Sequence, residues 1–363
     1  MPSTPDRVRD LIRESGLTQH DFAVRIGLDD SKLSKALTGN RRFSSLDLAR
    51  IADLSTVTVD WLITGDQSPL AVAARTTGGS ARTAVGEARR LATMRSDLAD
   101  LGFAQPWRPL DVAAGAGRWA EQGVRLADAA SARIEGLDRS DLLGLVETAF
   151  GADVAVLDLG TGFDGLATSS DDVELIVLAT STVPARQRFT LAHELGHLLA
   201  GDDQGVHLDE DVFDHAQAKT PSELRANAFA AALLMPEQTL RDAVGRTGLT
   251  EPGFAALVCD LVVSPSTLAY RLKALRLIDA GTCDRFCRLS ARRAASLAGR
   301  GAEFAGQVTE ASRPRPPGLL TRDAYAAYDA GATTLRPYAN LLGVDVEEIR
   351  RALDVENGTI DAS

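Results

Sequence analysis

The sequence predicts an α+β protein, predominantly helical and multidomain, with an all-α N-terminal domain, then a domain built around a small β-sheet, then further helices. Three observations predict it. Apolar residues between Val8 and Leu54 recur at helical spacing between tight breaks. Two short β-branched runs, residues 153–159 and 173–179, stand apart around Gly160, Gly162 and Gly165. From Thr220 onward the pattern returns to helical spacing. A chain of 363 residues, 45% hydrophobic and 25% charged, can bury more than one core. A net charge of −11 argues against a surface coated with nucleic acid and confines any such contact to one module. The three cysteines, Cys259, Cys283 and Cys287, are too few for a disulfide framework and read as structural thiols. Residues 1–7 lack an apolar signal core and no run of eighteen apolar residues occurs, so a cytoplasmic location without a membrane partner is expected.

The first domain is expected over residues 1–65. Within it, Thr18 opens a helix, Gly27 breaks it, and a second helix begins after Asp29 or Asp30 and ends at Gly39. Two helices joined by so short a turn predict a helix-turn-helix. Gln19, Ser31, Lys32, Ser34 and Lys35 are then placed to face a major groove or phosphates, with Arg41 and Arg42 extending the phosphate contacts. Asp29 and Asp30 oppose that use unless they serve as caps. These residues, with the closing stretch 59–65, resemble the phage-repressor helix-turn-helix family, and the resemblance implies DNA as a partner. Trp61 reads as a core plug.

Residues 66–85 are small, polar and rich in breakers, which predicts a linker. Residues 86–150 carry helical spacing, with Trp119, Leu126, Ile134, Leu142, Leu145 and Val146 as packed positions and no chemistry of their own.

The two β-branched runs read as strands leading into Arg188-Phe189-Thr190-Leu191-Ala192-His193-Glu194-Leu195-Gly196-His197, a candidate core spanning 151–240. Its centre is H-E-x-x-H. Positions four apart share a helix face, so His193 and His197 can present two imidazoles to one ion, and Glu194 can accept a proton from water. A third protein ligand would leave a fourth position open for water, as in a catalytic zinc site. A sheet beside such a helix is a zincin-like arrangement, in which an edge strand can hold extended polypeptide.

The third ligand is open on spacing alone. The pattern with a third histidine fails because Ala200 and Asp203 occupy its glycine and histidine positions, and Asp203 stays a minor candidate. Downstream, Thr220-Pro221-Ser222-Glu223 opens a helix that Pro236 stops. Glu223 can be the ligand with Asn227 on the same face, or it can close a capping box on Thr220. Residues 188–197 together with Glu223, Ala226-Asn227, Phe229-Ala230-Ala231 and Leu233-Leu234-Met235-Pro236 resemble the ImmA/IrrE metallopeptidases. That resemblance implies zinc held by His193, His197 and Glu223, Glu194 as general base, Asn227 beside the site, and a transcriptional repressor or antitoxin-like regulator as protein substrate. His207 and His215 sit in the acidic loop between the two blocks and read mainly as solvated, and Arg225 as a surface charge or ion-pair partner.

Residues 241–312 hold a second pattern of helix, turn and helix, with Ser264 as cap and Pro265 at the first helical position. Tyr270, Arg271 and Lys273 are its candidate exposed groups. Residues 313–318, Arg-Pro-Arg-Pro-Pro-Gly, read as a stiff basic connector, and 319–363 as an interaction or oligomerisation element, with which a homodimer is compatible. The expected function is a regulatory zinc endopeptidase coupled to a DNA-binding module. Its rivals are a non-proteolytic transcription regulator with a structural or vestigial metal site, and an antitoxin-like protein that holds a partner.

Overall fold

The computed structural model describes residues 3–55, 62, 79–112, 117–137, 140–160, 163–170, 173–202, 206–209, 220–247 and 249–360. The chain divides into two compact units, residues 1–89 and 90–363.

Among the described residues the first unit opens with helices α1 (Thr4–Glu14), α2 (Gln19–Arg25), α3 (Asp30–Leu37) and α4 (Ser45–Ser55). Val8, Phe22, Ile26, Leu33 and Ile51 meet in its core. The Thr18 hydroxyl caps α2 by accepting the Asp21 amide at 3.1 Å, and the Asp29 carboxylate caps α3 by accepting the Ser31 amide at 3.0 Å. Between them Gly27 adopts φ +63°, a left-handed conformation that costs glycine little. Trp61 and most of the expected linker lie outside the described residues. The part of that linker from Gly79 onward is helical, as the start of α5 (Gly79–Asp100).

The second unit is a helical body around a four-stranded sheet. The strands are β1 (Asp153–Leu157), β2 (Gly165–Ser170), β3 (Val173–Ala179) and β4 (Val206–Asp209), in the order β1-β3-β2-β4. The two runs read from the sequence are β1 and β3, which pair in parallel with Val154 opposite Ile176. The expected class, predominantly helical α+β, is the one observed. Strand β2, Gly-Leu-Ala-Thr-Ser-Ser, has no apolar run to announce it, and antiparallel pairing to both β3 and β4 makes it a strand. Helices α6 (Trp119–Arg133) and α7 (Leu142–Phe150) precede the sheet; α8 (Pro184–Ala200) and α9 (Pro221–Leu234) carry the H-E-x-x-H and Glu223 segments.

Segments on both sides complete this core. Arg95 of α5 is fully buried and donates to both oxygens of Asp153, Nε at 2.7 Å and Nη2 at 2.8 Å. Its Nη1 reaches Asp323 at 2.7 Å on α16 (Gly318–Asp329). The segment expected as a stiff basic connector is docked on the sheet. Arg315 exchanges two backbone hydrogen bonds of 2.8 Å with Val156 on the outer edge of β1, and its guanidinium binds Glu147 at 2.5 Å. A buried acid and an open strand edge both need partners, which is why a proline-rich stretch is held there.

Among the described residues six more helices follow α9 before the docked segment: α10 (Glu237–Thr247), α11 (Glu251–Leu261), α12 (Pro265–Ala274), α13 (Ala280–Cys287), α14 (Ala291–Leu297) and α15 (Gly301–Ala311). The chain's described part ends on α17 (Arg336–Leu342) and α18 (Val346–Ile360). One local device recurs. Gly27, Val262 (φ +50°) and Gly343 (φ +67°) each follow a helix in the left-handed region. Two residues later Asp29, Ser264 and Asp345 each cap the next helix. Only the first two of these were legible as paired helices from the sequence. Among the described residues no single helix is long and apolar enough to cross a membrane. The apolar pair α11 and α12 bends by 106° and buries Phe254, Leu268 and Leu272 in the core.

Candidate metal centre

Helix α8 begins on Pro184, buries Leu191, Leu195 and Leu199, and ends at Gly201, whose φ of +62° turns the chain back on the helix. Because the turn is tight, the Asp202 amide bonds the His197 carbonyl at 3.1 Å, which sets the Asp202 carboxylate under the same histidine. Helix α9 starts with Thr220 accepting the Glu223 amide at 3.4 Å and Pro221 at its first position. Only that half of the capping box forms. The Glu223 carboxylate points instead at the histidines, Oε2 at 3.3 Å from His193 Nε2 and Oε1 at 3.3 Å from His197 Nε2.

The two helices can bring these side chains together because Gly196 has no Cβ. A methyl there would lie 2.9 Å from the Phe229 ring and 3.4 Å from Ala226 Cα. The close approach anticipated for this glycine is therefore to a ring and a backbone of α9.

Three donor atoms of buried His193, His197 and Glu223 lie within 4.8 Å of one another. The two Nε2 atoms are 3.1 Å apart. Each Nδ1 faces an acceptor: His193 Nδ1 stands 3.2 Å from Asn227 Oδ1, and His197 Nδ1 stands 3.3 Å from Asp202 Oδ2. With their protons on Nδ1, both rings present a lone pair at Nε2. Two lone pairs and a carboxylate that converge repel one another unless a cation stands among them. Ligands about 2.0–2.1 Å from a tetrahedral centre would be about 3.3–3.4 Å apart, close to the observed spacing. The donor set thus fits a metal ion.

Glu194 is buried next to His193, with Oε1 against the start of β2. A Cβ on Gly165 would lie 3.1 Å from it and 2.6 Å from Thr190 Cγ2. Asp202 is the member of this centre whose role the sequence reading missed, and Arg225 takes the ion-pair role that was one of its two expected readings. Arg225 Nη2 forms an ion pair with Asp202 Oδ1, its Nη1 stands 3.4 Å from Gln122 Oε1, and its guanidinium lies 5.5 Å from the Trp119 ring centroid. Trp119 was expected in the core, yet it is 43% exposed, because its role is to carry that guanidinium at the start of α6. The signal for Asp202 was available: a glycine just after a helix returns the next residue to the last turn. Asp203 and His215 lie outside the described residues, and His207 falls on β4, whose side chains do too.

In the first unit, Gln19, Ser31, Lys32, Ser34, Lys35 and Arg42 are exposed. Arg41 is not available as expected, since it is half-buried and pairs with Asp47 at 2.8 Å, a neighbour only the fold supplies.

Residues 148–273 match the family described as the IrrE N-terminal-like domain, Peptidase M78. The chain is also similar to the radiation response metalloprotease IrrE of Deinococcus radiodurans, 34% identical over 150 residues, 41% of this chain and 45% of that protein. To the protein of the same name from Deinococcus deserti it is 33% identical over 151 residues, 41% of this chain and 52% of that one. The chain thus spans about half the length of the curated relatives it matches. Residues 148–273, which hold His193, Glu194, His197 and Glu223 together with Asp202 and Asn227, are thus the part of this chain that is similar to the IrrE N-terminal-like domain.

Proposed function

We propose that this chain is a zinc-dependent endopeptidase that cuts a partner protein, a transcriptional repressor or similar regulator. We further propose that its N-terminal helices bring it to DNA as a helix-turn-helix. The observation that carries the catalytic reading is the convergence of His193 Nε2, His197 Nε2 and Glu223 on one point beside Glu194. Zinc held by three protein ligands supplies Lewis-acid polarisation of a peptide carbonyl and acidifies water. His193, His197 and Glu223 would hold the ion, and Asn227 and Asp202 would fix the two rings by accepting hydrogen bonds from Nδ1. Glu194 accepts the proton of the attacking water at its carboxylate and returns it to the departing amine nitrogen. Strand β4, outermost beside β2, offers an edge along which extended substrate can add backbone hydrogen bonds.

The name of the relatives, radiation response metalloprotease, supports a regulatory setting. For DNA, the support is the exposed row Ser31, Lys32, Ser34 and Lys35 on α3, with the Asp29 carboxylate engaged as its cap. Phosphate and major-groove contact would then rest on Gln19, these four residues and Arg42.

The test is metal analysis combined with cleavage assays against proteins encoded beside this gene. Glu194→Gln is expected to keep zinc and lose cleavage, and Glu223→Ala to lose both. Full cleavage by Glu194→Gln would overturn the mechanism.

A further inference from the structure

The two imidazoles of the metal centre are not backed alike. His193 rests on a neutral amide oxygen, Asn227 Oδ1 at 3.2 Å, whereas His197 rests on a carboxylate, Asp202 Oδ2 at 3.3 Å. The other oxygen of Asp202 is taken by Arg225, so each oxygen has one task. Both side chains are largely withdrawn from water, at 10% and 17% exposure. A carboxylate on an imidazole Nδ1 proton fixes the tautomer and makes Nε2 a better electron-pair donor. An unsupported carboxylate could rotate away; one gripped by a guanidinium cannot.

Arg225 is itself held from outside the matched segment. Gln122 and Trp119 of α6 meet its guanidinium. Helix α6 comes that near because of Gly123, where a Cβ would lie 2.2 Å from the Arg225 carbonyl and 2.9 Å from the Phe229 amide nitrogen. A chain of contacts therefore runs from α6 through Arg225 and Asp202 to His197.

We propose that Arg225 and Asp202 form a positioning relay that orients His197 and sets the metal affinity of the centre, with α6 as its outer support. The proposal rests on the metal-centre reading above. Its rival is a plain ion pair that holds the end of α8 against α9 and leaves the metal unaffected.

Zinc affinity of the full chain, measured by competition with a chromophoric chelator, separates the two, alongside the thermal midpoint of the metal-free protein. Asp202→Asn is expected to weaken zinc binding ~10–100-fold, the usual effect of removing such a support. The metal-free midpoint should move by only a few degrees. Arg225→Met should weaken binding by less, and Arg225→Lys should recover part of the loss. In the Asp202→Asn background Arg225→Met should add nothing, because Arg225 acts through Asp202. Wild-type affinity in Asp202→Asn, or additive losses in the double variant, would overturn the relay, as would a lowered metal-free midpoint at unchanged affinity. His197→Ala is the control that keeps the two readings apart. If it retains wild-type affinity, the metal-centre reading itself fails; if it loses zinc while Asp202→Asn does not, only the relay fails.

Discussion

Residue by residue, the second unit withdraws an unusual set of charges from water, and their partners differ. The metal-centre groups meet one another, Arg95 meets two aspartates, and Glu174 on β3 meets a single hydroxyl, Ser169 Oγ at 2.8 Å. Burial pushes the Glu174 carboxyl up to about 7, and the Ser169 hydrogen bond offsets only part of that. A carboxyl whose folded value exceeds its unfolded value of 4.5 holds its proton in the folded state between those two pH values. Its contribution to stability is therefore complete below about pH 4.5 and disappears as pH rises through about 7. Glu174→Gln removes this dependence, so the variant should gain stability over wild type at pH 8 and lose that advantage at pH 5. Urea midpoints at the two pH values check it; an equal offset at both would refute the assignment. The residues of the metal centre were legible in the sequence because H-E-x-x-H is local and Glu223 follows a recognisable cap. The ion-pair partner of Arg225 and its supports Gln122 and Trp119 were not legible, because they depend on where α9 and α6 stand.

At the level of elements, the centre exists because α8 and α9 cross closely. Gly196 and Gly123 are the two places where a Cβ would obstruct such a crossing, the first between α8 and α9, the second between α6 and α9. On propensity alone Gly196→Ala should stabilise α8 by about 1 kcal/mol. The Phe229 ring 2.9 Å from the new methyl opposes that gain, and overpacking of this kind costs about 1–3 kcal/mol. The expected net result is destabilisation by about 1 kcal/mol with weakened zinc affinity, read by thermal melts with and without zinc. A rise in the midpoint would mean that Phe229 yields without cost. Strand β2 shows the limit of local reading. Its Gly-Leu-Ala-Thr-Ser-Ser sequence carries no strand pattern, and its identity comes from the two neighbours it pairs with. The docking of the arginine-proline segment was not legible for the same reason, since a backbone bridge to Val156 appears in no local pattern.

For the molecule as a whole, the segment that matches the IrrE N-terminal-like family is not the folding unit. Arg95 lies before it, Arg315 and Asp323 after it, and all three serve β1 or the acids beside it. Arg95→Met would leave Asp153 buried without its cation, while Asp323 keeps Arg322 at 2.7 Å, at a cost of about 3–5 kcal/mol. Denaturant midpoints of the full chain should show that loss, and the excised segment 148–273 should aggregate through the exposed edge of β1. A soluble, cooperatively folding fragment would refute this. The sequence by itself determined the helical α+β class, the first and central strands, the H-E-x-x-H helix and the resemblance that singled out Glu223. Those features depend on spacing within one element or on a run of residues, which are local. Tertiary structure alone decided that Glu223 turns from Thr220 to the histidines, that Asp202 supports His197, that Arg41 is occupied by Asp47, and that residues 313–318 complete the sheet. Each of these is a choice of side-chain or backbone partner that depends on how the folded elements meet, and burial is what selects among the partners.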